Sequence, residues 1–533
     1  ALMAGIDIPE QALSRNVEMY DRTIKAWALS DGIAAPLQGQ DWWYNRQHGE
    51  LYCHAFMNVI HGDPEAALLE RRSLDVVERL QLSNDRGCLL EENGEKYIVW
   101  APSHQTAKEM EFGSAYSILN AYLLHLFGGP GVEPSDEATL ARKQSGVRLY
   151  PYGCSVVYRT PDTFTAFSWR NHVLALSMPA KGLWSVTPIY TSYTGTVEFA
   201  GLEPNRLRNE DVVLDTVRED ICRHEHGFGA TVMIARGPKE TVHQDVGFVA
   251  LPDGRSVYVE RWRVRRACEI RRLKTGTIGI RNERYRELPD WARGEKKLYL
   301  PGESRTYRGF YGEEPNVVDS FGPVPYLNVD DEIGFVVFGS AGMSYLNQHE
   351  YAKWKGVEDI LTLNEWSDRR FAGPENTAPF CVVNLPNRTA AETAEAAKRT
   401  FRLDGTPDGA VVLETDEYLV YANFADSGAR VTATRSHAAD TVVQLFDGAQ
   451  TLTESGYTWS GTLPAFRSGW LERRFTFRLL EPPAAFAVEI HVAGEQLFIR
   501  NEGETELRAT VDGADGRTET IRLAPRVWVS YPK

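Results

Sequence analysis

The sequence predicts an α+β chain: a helical N-terminal region followed by large antiparallel β-sandwich domains. Three observations lead there. Apolar residues up to about residue 145 recur at helical spacing, as at Leu13, Val17, Tyr20, Ile24 and Trp27. From Val147 onward short β-branched and aromatic runs alternate with turn residues, almost to the end. No alternation of strands with long helices marks a parallel sheet. The boundaries this reading sets are 1–145 (helical), 146–387 (β-sandwich) and 388–533 (a linker helix and a C-terminal β-sandwich).

Each element has its own signal. Pro9–Leu29 is the first helix, and Gly39–Asn45 breaks it. A second runs from near Gln47 to Ile60. Asp63-Pro64-Glu65 opens a third, with Asp as N-cap and Pro in the first turn, lasting to about Leu80. Gln105–Phe127 is stopped by Gly128-Gly129-Pro130, and Ser135–Lys143 is a short helix. The change to strands comes in Gly153–Ala200. Ser155–Arg159 and Phe164–Ser168 flank the turn Thr160-Pro161-Asp162, and Trp169–Met178 is the next strand. Further on, Leu251-Pro252-Asp253-Gly254 precedes the strand Ser256–Val264, and Gly334–Phe338 follows Asp330-Asp331-Glu332. Arg388–Arg399 is a helix linking two β regions. Glu417–Phe424, Arg474–Leu480 and Val527–Tyr531 are strands of the last domain.

Composition narrows the function. With 43% apolar and 25% charged residues the chain is that of a soluble globular protein, and no stretch reaches the roughly 18 apolar residues of a membrane span. A net charge of −15 argues against a nucleic-acid partner. Cysteines 53, 88, 154, 222, 268 and 381 are too scattered for a disulfide scaffold or a zinc finger. No signal peptide is visible at Ala1.

Several clusters carry possible chemistry. Asp41–His54, DWWYNRQHGELYCH, sets Trp42 and Trp43 beside Tyr44, Asn45 and His48; the tandem Trp reads as a sugar-stacking surface or as a core anchor. Trp100–Tyr116 holds His104 at a loop-to-helix junction, with Tyr116 further along the helix. Arg170 and His172, two residues apart on a strand, would share a face. A cation beside an imidazole suits an anionic substrate, and a solvated outer face is the plain alternative. His224 and His226 would likewise share a strand face and could hold a structural metal ion, with His243 or Asp245 as further ligands. Arg261–Arg266 reads as a strand with a charged face, or as a lining for an anionic polymer.

Three of these stretches carry a resemblance. YPYGCSVVYRTPDTFTAFSWR (150–170) is similar to the first-strand segment of heparinase II/III-like polysaccharide lyases. DWWYNRQHGE resembles a segment of the hyaluronate/chondroitin lyase branch, and Ser103–Ser117 loosely resembles that branch's catalytic His and Tyr segment. Phe112 stands where the catalytic Tyr would be, with His104 at the catalytic His and Tyr116 at the second Tyr. The resemblance implies an (α/α) toroid before the β-sandwiches and β-elimination on a uronic-acid polysaccharide, with no cofactor required. It also implies an acidic glycan as partner and a secreted or periplasmic setting. Asn45 and Arg170 would neutralise the substrate carboxylate. Tyr44, His48, His104 and His172 would move protons, and Trp42, Trp43, Trp100 and Tyr116 would line subsites. A glycoside hydrolase using two of Asp41, Glu50, Glu109 and Glu111, or a non-catalytic carbohydrate-binding protein, are the alternatives.

Overall fold

The computed structural model describes residues 10–29, 49–82, 117–169, 174–180, 193–201, 215–281, 295–308, 317–347, 358–435, 442–513 and 516–531. Every ladder between the described strands is antiparallel, both in short-turn hairpins and between strands distant in sequence.

Helix boundaries follow from capping. Asp63 Oδ1 accepts from the backbone N–H groups of Glu65 (2.9 Å) and Ala66 (3.1 Å), starting the helix Pro64–Leu82. Asp136 accepts from Thr139 N–H at 2.8 Å and starts Glu137–Gln144. The first helix, Glu10–Tyr20, passes into a π-helical turn, Asp21–Lys25. Gly49–His61 and 117–128 complete the N-terminal helices among the described residues. A closed toroid is not shown by them.

The largest sheet has a long path of antiparallel strands. Glu303–Arg308 lies at one edge and Asp215–His224 at the other, with Phe380–Pro386, Ser256–Val264, Val242–Ala250 and Gly227–Arg236 between. Period-two side-chain alternation gives it two apolar faces. On one face Phe228, Val232, Ile234, Val246 and Phe248 meet Val157, Phe164 and Phe167 of the sheet Gly146–Pro179. The same core takes in Tyr345, Leu361 and Leu363 of a five-stranded sheet. On the other face Val249, Val257, Val259 and Val383 pack on Val411, Leu413, Val420 and Ala422 of a C-terminal four-stranded sheet. A Cβ at Gly229 would strike the Ser468 carbonyl of that sheet, so this approach needs glycine. Beyond it, a six-stranded and a four-stranded sheet close on a separate core around Trp459, Phe477, Ile490 and Ile499.

Two expectations change. The helix Ala390–Lys398, closed by a Thr389/Glu392 capping box, is more than a link. Thr393 is buried against Gly334 and accepts from Asn328 Nδ2 at 2.9 Å, which docks the helix on the large sheet. The arginines of Arg261–Arg266 do not make a free basic face. Arg261 (3.1 Å) and Arg263 (2.6 Å) both bond the fully buried Asp245, Arg261 also reaches Asp408 at 2.7 Å, and Arg265 bonds Glu240 at 2.6 Å.

Between the large and five-stranded sheets lies Glu260, fully buried. Its carboxylate accepts from Tyr258 Oη (2.7 Å), Gln244 Nε2 (2.7 Å), Thr275 Oγ1 (2.5 Å) and Asn364 Nδ2 (3.3 Å). Burial raises its pKa and these donors oppose the rise. Glu260→Ala takes the acceptor from the Tyr258 and Thr275 hydroxyls and one of the acceptors from Gln244 and Asn364, and should cost about 3–5 kcal/mol, read as the shift of a urea unfolding midpoint. Glu260→Gln should cost less, because the Tyr258 and Thr275 hydroxyls can rotate to accept from the new amide.

Candidate functional site

The helices and the first strands are joined by side chains that bond the backbone of residues 22–28. Arg159 Nη1 donates to Ala26 O (3.1 Å) and Ala28 O (2.7 Å). Gln144 Nε2 donates to Lys25 O (2.8 Å) and Ala28 O (3.1 Å), and Tyr150 Oη donates to Arg22 O. Trp27 is driven into the β core, with its ring 5.7 Å from Tyr150 and 5.8 Å from Phe164.

This junction encloses a pocket of about 290 Å³. Asp21, Arg22, Lys25 and Ala26 line it from the π-helical turn, Lys143 and Gln144 from a helix end, and Arg148 from the strand Gly146–Tyr150. Four cations face one carboxylate. Arg148 donates to the carbonyls of Gln144 and Lys143, capping that helix's C-terminus. Lys143 reaches Glu65 at 2.8 Å and is more than half exposed. Lys25 sits deepest, 2.5 Å from Asp63, 2.7 Å from Asp21 and 3.4 Å from Glu65. Burial opposes its charge, but the bonds to Asp21 and Asp63 outweigh burial and hold the ammonium above its ordinary pKa. Burial likewise works against the charge of Asp63, and the Lys25 hydrogen bond leads the groups that bring its pKa below the ordinary value.

Beside the pocket, Tyr20 Oη and His54 Nδ1 share a buried hydrogen bond of 2.7 Å, with Lys25 Nζ 5.5 Å from the Tyr20 ring centroid. Burial raises the Tyr20 pKa well above its usual value, with Asp63 and Cys53 adding to the rise, so this phenol stays protonated at neutral pH. One turn before His54, burial lifts Glu50 to about 7, and its Oε2 has no hydrogen-bond partner among the described residues. Cys53 is pushed up to about 11 by burial and by Glu50. The site can therefore attract an anion and holds one carboxyl group near half-protonation at neutral pH. On the far side of the helical pack, His125 Nε2 meets Glu70 Oε1 at 2.6 Å, and Asn58 donates to Glu70 Oε2 at 2.8 Å, a bracing contact between helices.

The sequence singles out different residues. Trp42, Trp43, Tyr44, Asn45, His48, Trp100, His104, Tyr116, Arg170 and His172 lie outside the described residues, as do Asp41, Glu109 and Glu111. Of the run expected as one strand, Trp169–Met178, residues 174–178 are strand and pair with Thr163–Ser168, and 170–173 lie outside the described residues. His224 and His226 do not share a strand face, because the strand ends at His224 and the chain turns at Glu225-His226. The His224 ring packs 4.4 Å from Trp470, and Cys222 Sγ lies 3.5 Å from its Nε2. His226 contacts Glu225 at the surface. His243 is engaged by Glu240 and Arg265, and Asp245 by two arginines. Among the described residues no three His, Cys, Asp or Glu side chains gather to hold a metal ion. Tyr20, Lys25, His54 and Arg148 went unmarked because they sit in apolar or helix-end positions that read as core. Only the charge of Lys25 within the apolar spacing of Ile24 and Trp27 could have flagged them.

No family model matches the chain, and no curated protein matches it in sequence. Similar solved structures belong to the two lyase branches to which the sequence bears a resemblance. One is a chondroitinase AC lyase: 8% identity, TM-score 0.38, 98% of this chain and 75% of that one. Another is a heparinase III: 9% identity, TM-score 0.28, 80% of this chain and 61% of that one. A third is a mutant heparan sulfate lyase HepC of Pedobacter heparinus: 6% identity, TM-score 0.27, 96% of this chain and 62% of that one. The chain thus spans three quarters of the first and about three fifths of the other two. At this distance nothing about individual residues carries across.

The Glu50 carboxyl gives a pH signature. Its folded pKa is raised from 4.5 to about 7, so the folded state binds the extra proton. Stability should fall as pH rises between those values, by up to about 3 kcal/mol, and level off above. Glu50→Gln should flatten that slope in urea unfolding curves taken at pH 5 and pH 8.

Proposed function

We propose that this chain is a polysaccharide lyase that cleaves a uronic-acid-containing glycan by β-elimination. The observation that carries the reading is the pocket at the helix–sheet junction, where Arg22, Lys25, Lys143 and Arg148 converge in a chain of net charge −15. Such a concentration of cations against the overall charge suits an acidic glycan. The succession of helices and antiparallel sheets, and the sequence resemblance of 150–170 and 41–50, support the same reading.

In this proposal Asn45 and Arg170 hold the uronate carboxylate, and Arg170 offers a bidentate fork. Neutralising that charge stabilises the enolate that forms when a base removes the C5 proton. Tyr44, His48, His104 or His172 supplies the base and the acid. The electron pair left at C5 forms the C4–C5 double bond, the C4–O4 bond breaks, and O4 leaves with a proton from the acid. Trp42, Trp43, Trp100 and Tyr116 offer stacking faces for neighbouring sugars. The domain division 1–145, 146–387 and 388–533 belongs to the same proposal.

One observation favours a second reading. Glu50, with its pKa near 7, has the protonation a glycoside hydrolase asks of its general acid. Product chemistry separates the two: a lyase leaves a conjugated unsaturated uronate absorbing in the near ultraviolet, and a hydrolase leaves only new reducing ends. Incubation with a panel of uronate polysaccharides should raise near-ultraviolet absorbance. On the active polymer, His172→Ala should lose turnover by about 10²-fold or more while keeping most affinity, and Arg170→Ala should lose both. Near-normal turnover of His172→Ala would move the proton transfer to His48 or His104. Reducing ends without absorbance would replace the lyase with the hydrolase.

A further inference from the structure

The outer face of the six-stranded C-terminal sheet is not a plain solvated surface. Its inner side chains, Val488, Ile490, Leu497 and Ile499, fill the core of the C-terminal sandwich. Strand alternation then turns Glu489, His491, Phe498, Arg500 and Trp528 outward. Register aligns them across three strands: Glu489 opposes Arg500, which opposes Trp528, and His491 opposes Phe498 one step along.

The Trp528 indole is 43% exposed and Phe498 38%. The indole is nonetheless braced. Arg500 Cζ stands 5.7 Å from its ring centroid, and the His491 ring lies 5.4 Å away, tilted by 53°. Each brace is itself held: Arg500 by Glu502 (2.7 Å) and His491 by Glu489 (3.0 Å). A large apolar ring is thus fixed in orientation, open on the surface, and bordered by donors and acceptors.

That combination matches a pyranose ring. The C–H face of a sugar is apolar and flat enough to stack on an indole, while its hydroxyls point outward to groups such as a guanidinium, an imidazole and a carboxylate. Other occupants fit less well. The apolar part is one indole and one phenyl, too little for the hydrophobic centre of a protein interface. The guanidinium beside the indole, Arg500, is already paired with Glu502, which weakens its pull on a phosphate backbone. The same balance directs binding to the hydroxyl-bearing face of a sugar and away from its charged groups.

We propose that Trp528, braced by Arg500 and His491, is a sugar-stacking platform: a glycan-binding site on a different sheet from the cationic pocket. The proposal does not rest on the lyase reading, since stacking requires no turnover. Affinity electrophoresis of the whole chain in native gels tests it, with chondroitin sulfate, heparan sulfate, hyaluronan or a neutral β-glucan as the embedded probe. At least one of these polymers should retard the wild-type chain. Trp528→Ala should weaken that interaction about three- to tenfold, as expected for one aromatic contact, and Trp528→Phe should retain most of it. The melting temperature of Trp528→Ala should stay close to wild type, because the side chain lies on an edge strand and outside the core. No retardation in any gel would overturn the platform, as would equal retardation of wild type and Trp528→Ala. Sedimentation offers a further check: if the wild type is a dimer and Trp528→Ala a monomer, the face joins two copies of the chain and the sugar platform falls. Absorbance of the products reads the lyase proposal separately, so binding without elimination sinks only that one.

Discussion

The structure depends on a buried guanidinium that bonds backbone carbonyls and no carboxylate among the described residues. Arg159 sits fully inside the protein on the second strand and donates to the carbonyls of Ala26 and Ala28. Burial, together with the nearby Arg148 and Arg72, brings its pKa down to about 9, so it keeps its charge at neutral pH. A charge so placed is costly unless its donors are met, and the carbonyls that end the first helical segment meet those of Nη1, while Nε has no partner among the described residues. Gln144 and Tyr150 bond the same stretch of backbone from the last helix before the sheets and from the first strand. Helix end, strand and sheet are therefore fixed to one another by polar contacts that orient Trp27 into the β core. The cationic pocket is a by-product of this joint, because the turn that Arg159 and Gln144 hold is its wall.

The chain handles buried charge in three ways. Lys25 is surrounded by three carboxylates and keeps its proton more firmly than a free lysine. Asp245 is matched by two arginines, yet burial still raises its pKa. Glu260 bonds no cation among the described residues and accepts from neutral donors there. The first arrangement lines the pocket at the helix–sheet joint, and the other two lie between or within sheets. The arginines along Ser256–Val264 are taken up by internal pairs.

Local signals made much of the fold legible. Asp63-Pro64 marks a helix start because caps act over three or four residues. Strands such as Ser155–Arg159 and Ser256–Val264 are bounded by turn residues beside them in sequence. Pairing that links distant residues was not legible. Nothing near Arg261 announces Asp245 or Asp408 as its partners, and nothing near Tyr20 announces His54. The two histidines at 224 and 226 misled for the opposite reason. Their spacing assumed a continuing strand, whereas the hairpin turns between them. The catalytic candidates chosen from motifs lie outside the described residues, and the pocket at the junction is lined by residues the motifs did not mark.

A pocket at the helix–sheet joint and an indole platform on the last sheet would divide the work of holding a polymer. The pocket is charged and depends on screening, so its hold on an acidic chain weakens as salt rises past the point where the Debye length falls to roughly 8 Å. Stacking on Trp528 relies on apolar contact and is far less sensitive to salt. A polymer long enough to touch both surfaces gains from linkage, since the second contact forms at an effective concentration set by the length between them. At high ionic strength the platform would keep the polymer near the protein after the pocket has released it. The two surfaces would then show different salt dependences within one chain, which follows from one being built of paired and unpaired cations and the other of an aromatic ring whose neighbouring charges are already matched.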